Sequence, residues 1–195
     1  MLYRLKEEIP SKLMPDIQQV QNYVKYRRYR MGDNSNMEGV KSFENTNKFH
    51  SHLQSNQIFC FGVQLGKGTD DNKMRFGLTS KKLLENCVLE KGVFHIDLTY
   101  KIIKQSYPLL VFGCYDISGQ FHPIALMFLS HWELDDFEHF FKSLLNILEI
   151  LNITFKPLFI MQDADKACYN AIKSILQNTT VLMCYFHVLQ NVRKK

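Results

Sequence analysis

Between Val93 and Cys184, the apolar residues change their spacing in an order that few folds accommodate. Three strand-like segments with short connections come first, and a helix, a strand, a second helix and a last strand follow. Short connections place the first three strands side by side, whereas helical crossovers give parallel strands. We therefore predict an α/β fold with a mixed sheet flanked by helices. The predicted strands are residues 93–98, 109–115, 121–129, 155–161 and 181–184, and the predicted helices are 134–151 and 164–176.

A helix with a basic face is predicted near the start of the chain, between Pro15 and Gly32. Three tyrosines alternate with cations in its second half, and such a face suits DNA phosphates and base stacking. An amphipathic helix with cations at its negative end explains the same pattern, so both interpretations stay open. The candidate DNA contacts are Lys25, Arg27, Arg28 and Arg30.

A polar linker and a β-hairpin are predicted between this helix and the α/β region. Residues 33–51 are rich in Asn, Ser and charged side chains, which favour a linker. Residues 57–65 and 73–79 are strand-like on either side of a turn-rich segment, which predicts a hairpin. We divide the chain into an N-terminal extension, residues 1–70, and a domain, residues 71–195.

The composition limits the classes of protein to which the chain can belong. With 46% hydrophobic and 13% aromatic residues, the chain is expected to fold rather than remain disordered. Its five scattered cysteines argue against a disulfide framework and favour a reducing compartment. We see neither a leader-like start nor an apolar run of membrane-spanning length, and expect a soluble intracellular protein. The net charge of +5 permits nucleic acid as a partner.

Two aspartates are predicted at strand ends, where α/β sheets bind ligands. In GVFHIDLTYK, residues 92–101, alternation directs Phe94 to one face and Asp97 to the other. In FIMQDADKACYNAI, Asp163 follows the fourth predicted strand. Two carboxylates at one sheet edge suit Mg²⁺ or Mn²⁺, and a pair of such ions promotes phosphodiester chemistry. Helix capping is the alternative for Asp163 and Asp165, and Asp165 is the better candidate for the cap.

The end of the sequence, CYFHVLQNVRKK, combines a C-x-x-H spacing with a basic cluster. Cys184 and His187 alone are weak support for zinc, because two further ligands are required and no convincing partner pair is visible. A buried cysteine and a histidine in a first helical turn are the default interpretation. The basic cluster suits DNA contact or a solvated helix face. It consists of Arg193, Lys194 and Lys195.

Four segments together resemble the transposase domain of Mutator-like elements, the MULE family. They are HIDLTYK, YPLLVFGCYDISGQFHPIALMFLSHWE, IMQDADKACYNAIK and CYFHVLQNVRKK, and the resemblance extends from about Phe76 to Lys195. The order of elements likewise resembles the ribonuclease H-like arrangement. The resemblance implies an acidic-triad (DDE) nuclease in which Asp97 is the first acid and Asp163 the second. Cys184 and His187 match the family's C-x-x-H.

The family's third acid, a glutamate, lies downstream of the C-x-x-H, and this sequence ends at Lys195 without it. Glu133 matches a recurrent family position before the long helix, but not the catalytic glutamate. We therefore expect a C-terminally truncated core that has little or no cleavage activity as it stands, because a metal site short of one carboxylate binds its ions weakly.

The leading hypothesis is a fragment of a DDE transposase core. It acts on DNA at transposon ends with Mg²⁺ or Mn²⁺, is nuclear, and forms a homo-oligomer in a full-length form. The first alternative is a domesticated, non-catalytic DNA-binding or regulatory protein that kept the fold. The second is a zinc-stabilised interaction module built on Cys184 and His187, although zinc is the less favoured metal.

Overall fold

The computed structural model describes residues 18, 22, 37–88, 92–100, 106–185 and 187–189. The chain divides into two compact units, residues 1–42 and residues 43–195. In the first unit, Gln18 and Asn22 are helical and exposed. The second unit contains the sheet and the candidate functional site.

A mixed sheet of seven strands organises the second unit. Its spatial order is β1-β2-β5-β4-β3-β6-β7. Neighbours among the first five strands of this order are antiparallel, and β3, β6 and β7 are parallel. This confirms the predicted α/β class with a mixed sheet. The strands are β1 (Ile58–Thr69), β2 (Asn72–Ser80), β3 (Val93–Thr99), β4 (Leu109–Tyr115), β5 (Phe121–Leu129), β6 (Phe159–Gln162) and β7 (Thr180–Met183).

Helices flank this sheet, among them the short α2 (Lys81–Leu84), and the two longest in the second unit, α3 (Leu134–Ile150) and α4 (Lys166–Ile175), contact each other. None of the helices in the described part of the chain has the length and apolar character that a membrane span requires. Ser80 caps the short α2 through its hydroxyl, which accepts a hydrogen bond from the Leu83 N–H. The helices are α1 (Met37–Thr46), α2 (Lys81–Leu84) with a 3₁₀ turn (Glu85–Val88), α3 (Leu134–Ile150) and α4 (Lys166–Ile175).

Five neighbouring strands, in the spatial order β5-β4-β3-β6-β7, have the order and directions of a ribonuclease H-like sheet. The β1–β2 hairpin extends this sheet beyond β5, because β2 pairs with β5 in antiparallel register. A tight turn at Asp70 and Asp71 joins the hairpin strands. The predicted boundary at residue 70 therefore falls inside a hairpin whose two strands belong to one sheet.

One contiguous core fills the space between the sheet and the long helices. Strand β3 alternates as predicted, so Phe94 and Ile96 are buried while Asp97 is half-buried on the opposite face. Helix α3 buries an apolar stripe at helical spacing, and Phe140 and Phe141 both pack edge-to-face on Phe112 of β4. These ring contacts join the helix layer to the middle of the sheet.

The linker predicted at residues 33–51 is wrong for its central part, where α1 forms. Its polar composition hid the helix, because the helix has no fully buried residue. Phe43 supplies a contact of its own, since its ring lies edge-on to Phe76 of β2 with 6.1 Å between centroids. The carbonyl of Phe43 also accepts a hydrogen bond from the Asn47 side chain at 2.8 Å.

The strand predicted at residues 155–161 is shorter than expected and begins only at Phe159. Phe155 is buried nonetheless, because its ring packs edge-to-face on Phe94 from a loop. Pro157 lacks a backbone N–H and cannot donate to a strand ladder, while its carbonyl accepts a hydrogen bond from the Thr179 hydroxyl at 2.8 Å. The run thus alternates between buried Phe155, Pro157 and Ile160 and exposed residues such as Leu158, and only its last part pairs as a strand.

Candidate functional site

Asp97 and Asp163 lie at the same edge of the sheet because of the register between β3 and β6. These strands are parallel neighbours, and His95 pairs with Met161. Asp97 and Asp163 each come two residues later, so both side chains reach the carboxyl edge at the same level. Asp97 and Asp163 are both among the residues that line one small cavity of about 10 Å³, which Ile96, Phe137 and Cys168 also line.

The turn that carries Asp163 is held by its neighbours on both sides. The side chain of the buried Gln162 accepts a hydrogen bond from the Asp165 N–H at 2.8 Å. Asp165 caps α4 by accepting from the Cys168 N–H at 2.7 Å, in agreement with its predicted role. Ala164 has φ of 69°, a left-handed conformation that costs an L-residue roughly 1 kcal/mol or more. The fold thus maintains a strained turn that fixes the direction of Asp163.

His187 reaches the same place from the segment that follows β7. The Cys184 N–H donates to the Gln162 carbonyl at 2.7 Å, which ties the start of the C-x-x-H to the end of β6. His187 lies in the helical turn beyond it, with its Nε2 3.9 Å from Asp97 Oδ1. Ligand atoms of Asp97, Asp163 and His187 all lie within 4.8 Å of one another. Three distant segments of the chain therefore converge on one point.

The surroundings of these groups favour a bound cation. Asp97 Oδ1 is buried and accepts no hydrogen bond from the described residues, although a buried carboxylate oxygen is costly to leave unbonded. Burial lowers the pKa of the nearby His95, against the opposing charges of Asp97 and Asp163. Burial also raises the pKa of the Cys168 thiol behind the site, and Asp165 and Asp163 add to that effect. His95 and Cys168 are thus expected to be neutral at pH 7, which leaves the carboxylates as the negative groups of the site.

The donor set fits a divalent cation. Carboxylate oxygens are the usual ligands of Mg²⁺ and Mn²⁺, and an imidazole nitrogen is a common ligand of transition metals. Asp97, Asp163 and His187 offer both kinds of atom within a span that one ion can bridge. The assignment of Asp97 and Asp163 as metal ligands and catalytic residues stays a prediction.

A family model of the MULE transposase domain matches residues 93–191, about half of the chain. The chain belongs to the MULE transposase domain family. A comparison with curated proteins found no match. The MULE match begins at the first residue of β3 and includes Asp97, Asp163, Cys184 and His187. The predicted resemblance is confirmed, and the family indicates a protein derived from a transposase.

A second acidic group within the MULE domain has a different character. Glu133, Asp135 and Asp136 lie at the start of α3, and all three already form ion pairs with Lys73 or Arg75 of β2. Lys73 Nζ donates to Glu133 and to Asp135 at 2.7 Å each, and Arg75 Nε donates to Asp136 at 2.8 Å. This network joins the hairpin to the helix, which gives the family-like position of Glu133 a structural role.

The remaining predicted site residues divide into two groups. Cys184 is half-buried at the end of β7 and is not part of the ligand group that His187 joins. Zinc binding through a Cys184–His187 pair therefore gains no further ligand among the described residues. The basic residues proposed for DNA contact lie outside the described residues, and their roles stay predictions. They are Lys25, Arg27, Arg28, Arg30, Arg193, Lys194 and Lys195.

Sequence reasoning missed the approach of His187 to the two aspartates. The C-x-x-H spacing directs attention to Cys184 as the partner of His187, whereas the structure brings His187 toward Asp97. The signal that connects them is the parallel pairing of β6 with β7, which sets Gln162 level with Met183. The approach of His187 to Asp97 therefore depends on the register between β6 and β7, which no sequence motif reveals.

Proposed function

We propose that this chain contributes to a cation-dependent DNA-cleaving centre of the transposase type, with Asp97 and Asp163 as cation ligands. The observation that carries the proposal is the convergence of Asp97, Asp163 and His187 within 4.8 Å at the carboxyl edge of parallel strands. Membership of the MULE transposase domain family supports DNA as the substrate. The fold and the donor set thus favour the same chemistry.

The protein groups around the site have separable tasks in this proposal. Asp97 and Asp163 bind the cation through their carboxylates, and His187 offers a nitrogen ligand from a third segment. A bound Mg²⁺ or Mn²⁺ ion supplies a Lewis acid for phosphodiester chemistry. Gln162 and Asp165 keep Asp163 in place through their hydrogen bonds at the turn. The Asp163 side chain therefore needs little rearrangement when the cation binds.

The proposal extends to the partner and its location. Transposition requires contact with DNA phosphates, and basic side chains make such contacts in a salt-dependent way. We assign this role to Arg27, Arg28 and Arg30 of the predicted basic helix and to the Arg193–Lys195 cluster. A protein that acts on chromosomal DNA works in the nucleus, and we place this protein there.

Nicking of supercoiled plasmid in Mg²⁺ or Mn²⁺ tests the proposal in a full-length form that also supplies the family's third acid, because the chain as it stands is expected to cleave little or not at all. Asp97→Asn and Asp163→Asn each remove one negative charge without changing side-chain size, and we expect nicking to fall to background in both. Asp165→Asn is the matched control, because it makes the same change two residues from Asp163 and asparagine caps helices as well as aspartate does. We expect this variant to retain most of its nicking.

Two results would count against a cleaving centre. Unchanged nicking in Asp97→Asn or Asp163→Asn would remove that residue from the site. DNA binding without cation-dependent nicking in the form that carries the third acid would instead favour a DNA-binding regulator derived from a transposase. An anisotropy titration with labelled duplex DNA, run beside the nicking assay, separates these results.

A further inference from the structure

Two half-exposed aromatic rings meet at the edge of the sheet that carries the aspartates. Tyr100 directly follows β3, and Trp132 lies in the connection between β5 and α3. Their rings are 5.8 Å apart between centroids and almost perpendicular, at 86°. Each residue is 49% exposed, so the edge-to-face contact leaves ring surface open to solvent. Neither residue has a part in the cation site itself.

The topology of the sheet explains why this pair lies at the same edge as the aspartates. Thr99 at the end of β3 pairs with Leu109 of β4, and Leu109 pairs with Phe128 near the end of β5. Because β4 runs antiparallel to both neighbours, β3 and β5 end at the same edge of the sheet. Strand β6 is parallel to β3 and ends there too, immediately before Asp163. Tyr100, Trp132 and Asp163 therefore follow strands that end on one rim.

The electrostatic environment of the Tyr100 hydroxyl indicates that it lies within reach of the aspartate charges. Burial raises the pKa of Tyr100 above its ordinary value, and the negative charges of Asp163, Asp165 and Asp97 add to that effect. Coulombic effects of this kind require short distances in a solvated region. The phenol is therefore within the electrostatic reach of the carboxylates, on the solvent side of the site.

We propose that Tyr100 and Trp132 form a stacking platform for one unpaired nucleobase of the DNA strand whose phosphate lies at Asp97 and Asp163. This inference rests on the proposed function, because it takes DNA as the substrate. A base inside a duplex has both faces covered by its neighbours, so only an unpaired or extruded base can stack on the rings. A neutral nucleobase also tolerates the acidic rim, where a second phosphate would be repelled.

The single tryptophan of the chain makes the inference directly measurable. Trp132 is the only tryptophan among the 195 residues, so all tryptophan fluorescence reports on the proposed platform. The wild-type chain is titrated with a blunt duplex and with the same duplex carrying a short single-stranded 3′ overhang. We expect the overhang duplex to bind more tightly and to quench Trp132 fluorescence, while the blunt duplex quenches it weakly.

Substitutions then separate stacking from general binding. Trp132→Ala is expected to weaken binding of the overhang duplex about 5- to 150-fold, the range for loss of one base–aromatic stack, and to leave the blunt duplex unchanged. Trp132→Phe keeps a π face and should restore most of the preference. Tyr100→Ala and Tyr100→Phe form the parallel pair. Ile117→Ala is the control, because Ile117 is exposed in the β4–β5 turn at the opposite edge of the sheet.

The outcomes distinguish this inference from the proposed function. Equal affinity for the two duplexes, or DNA binding without a change in Trp132 fluorescence, would overturn the platform and leave the cleaving centre intact. Absence of any DNA binding by anisotropy would overturn both. The wild-type titration needs no variant to fold, so a destabilised Trp132→Ala protein would not obscure the answer.

Discussion

Asp136 is fully buried, and both of its carboxylate oxygens accept hydrogen bonds. Oδ1 accepts from Arg75 Nε at 2.8 Å, and Oδ2 accepts from the Glu133 backbone N–H at 2.9 Å. Lys73 Nζ lies 3.4 Å from Oδ2, and both cationic side chains are nearly buried. Glu133 and Asp135 also pair with these two cations, so the loss of Asp136 leaves two charges matched by two carboxylates. It removes the acceptor of the Arg75 Nε–H and of the Glu133 backbone N–H.

We expect Asp136→Ala to lower the free energy of unfolding by about 2–6 kcal/mol, because two donors lose their acceptor at roughly 1–3 kcal/mol each. Urea unfolding at neutral pH, followed by circular dichroism, measures it. Glu133→Gln is the control: its side chain is 64% exposed, and we expect a loss of about 1 kcal/mol or less. A loss in Asp136→Ala no larger than in the control would contradict a stabilising role for the network.

At the scale of single elements, the turn between β6 and α4 stores backbone strain next to the site. Ala164 has a positive φ that glycine adopts without penalty. We expect Ala164→Gly to raise the free energy of unfolding by about 1 kcal/mol, as strain relief outweighs the added freedom of the unfolded chain. The control is Ala171→Gly inside α4, which should lower it by about 1 kcal/mol or more. Thermal unfolding measures the change in the free energy of unfolding for both variants. If both variants are destabilised, the turn holds no strain at Ala164.

Elements with a strong apolar period are predictable from the sequence, and elements with a weak one are not. The short apolar run at residues 109–115 predicts β4 with its observed bounds. Helix α1 has no comparable signal, because its contact through Phe43 depends on a ring in β2 that is distant in sequence. Leu134 fits the apolar stripe of α3, yet it is 42% exposed because it lies in the first turn, beyond the sheet. Periodicity thus indicates burial only where a partner layer covers the element.

At the scale of the whole molecule, one part of the candidate site is likewise predictable from the sequence and another part is not. The meeting of Asp97 and Asp163 follows from element order, because two parallel strands with their acids at the carboxyl ends leave few alternatives. The approach of His187 depends on the exact register of β7. The contact of Tyr100 with Trp132 depends on two connections with no regular structure. The order of strands and helices can be predicted from the apolar patterns of a single sequence. The geometry of loops depends on contacts between distant residues, and a single sequence does not reveal those contacts.

Cation binding is expected to stabilise the whole second unit, because the proposed ligands Asp97, Asp163 and His187 come from three segments that are far apart in the chain. At a cation concentration about 100 times its Kd, binding to the folded state alone adds about 2.7 kcal/mol, which raises Tm by about 5–10 °C for a chain of this size. Mn²⁺ titrations followed by differential scanning fluorimetry measure this shift. Asp97→Asn should abolish it, His187→Asn should reduce it, and Cys184→Ser should leave it unchanged, since Cys184 is outside the ligand group. A shift that survives in Asp97→Asn, or that disappears in Cys184→Ser alone, would move the cation site away from the sheet edge and toward the C-x-x-H segment.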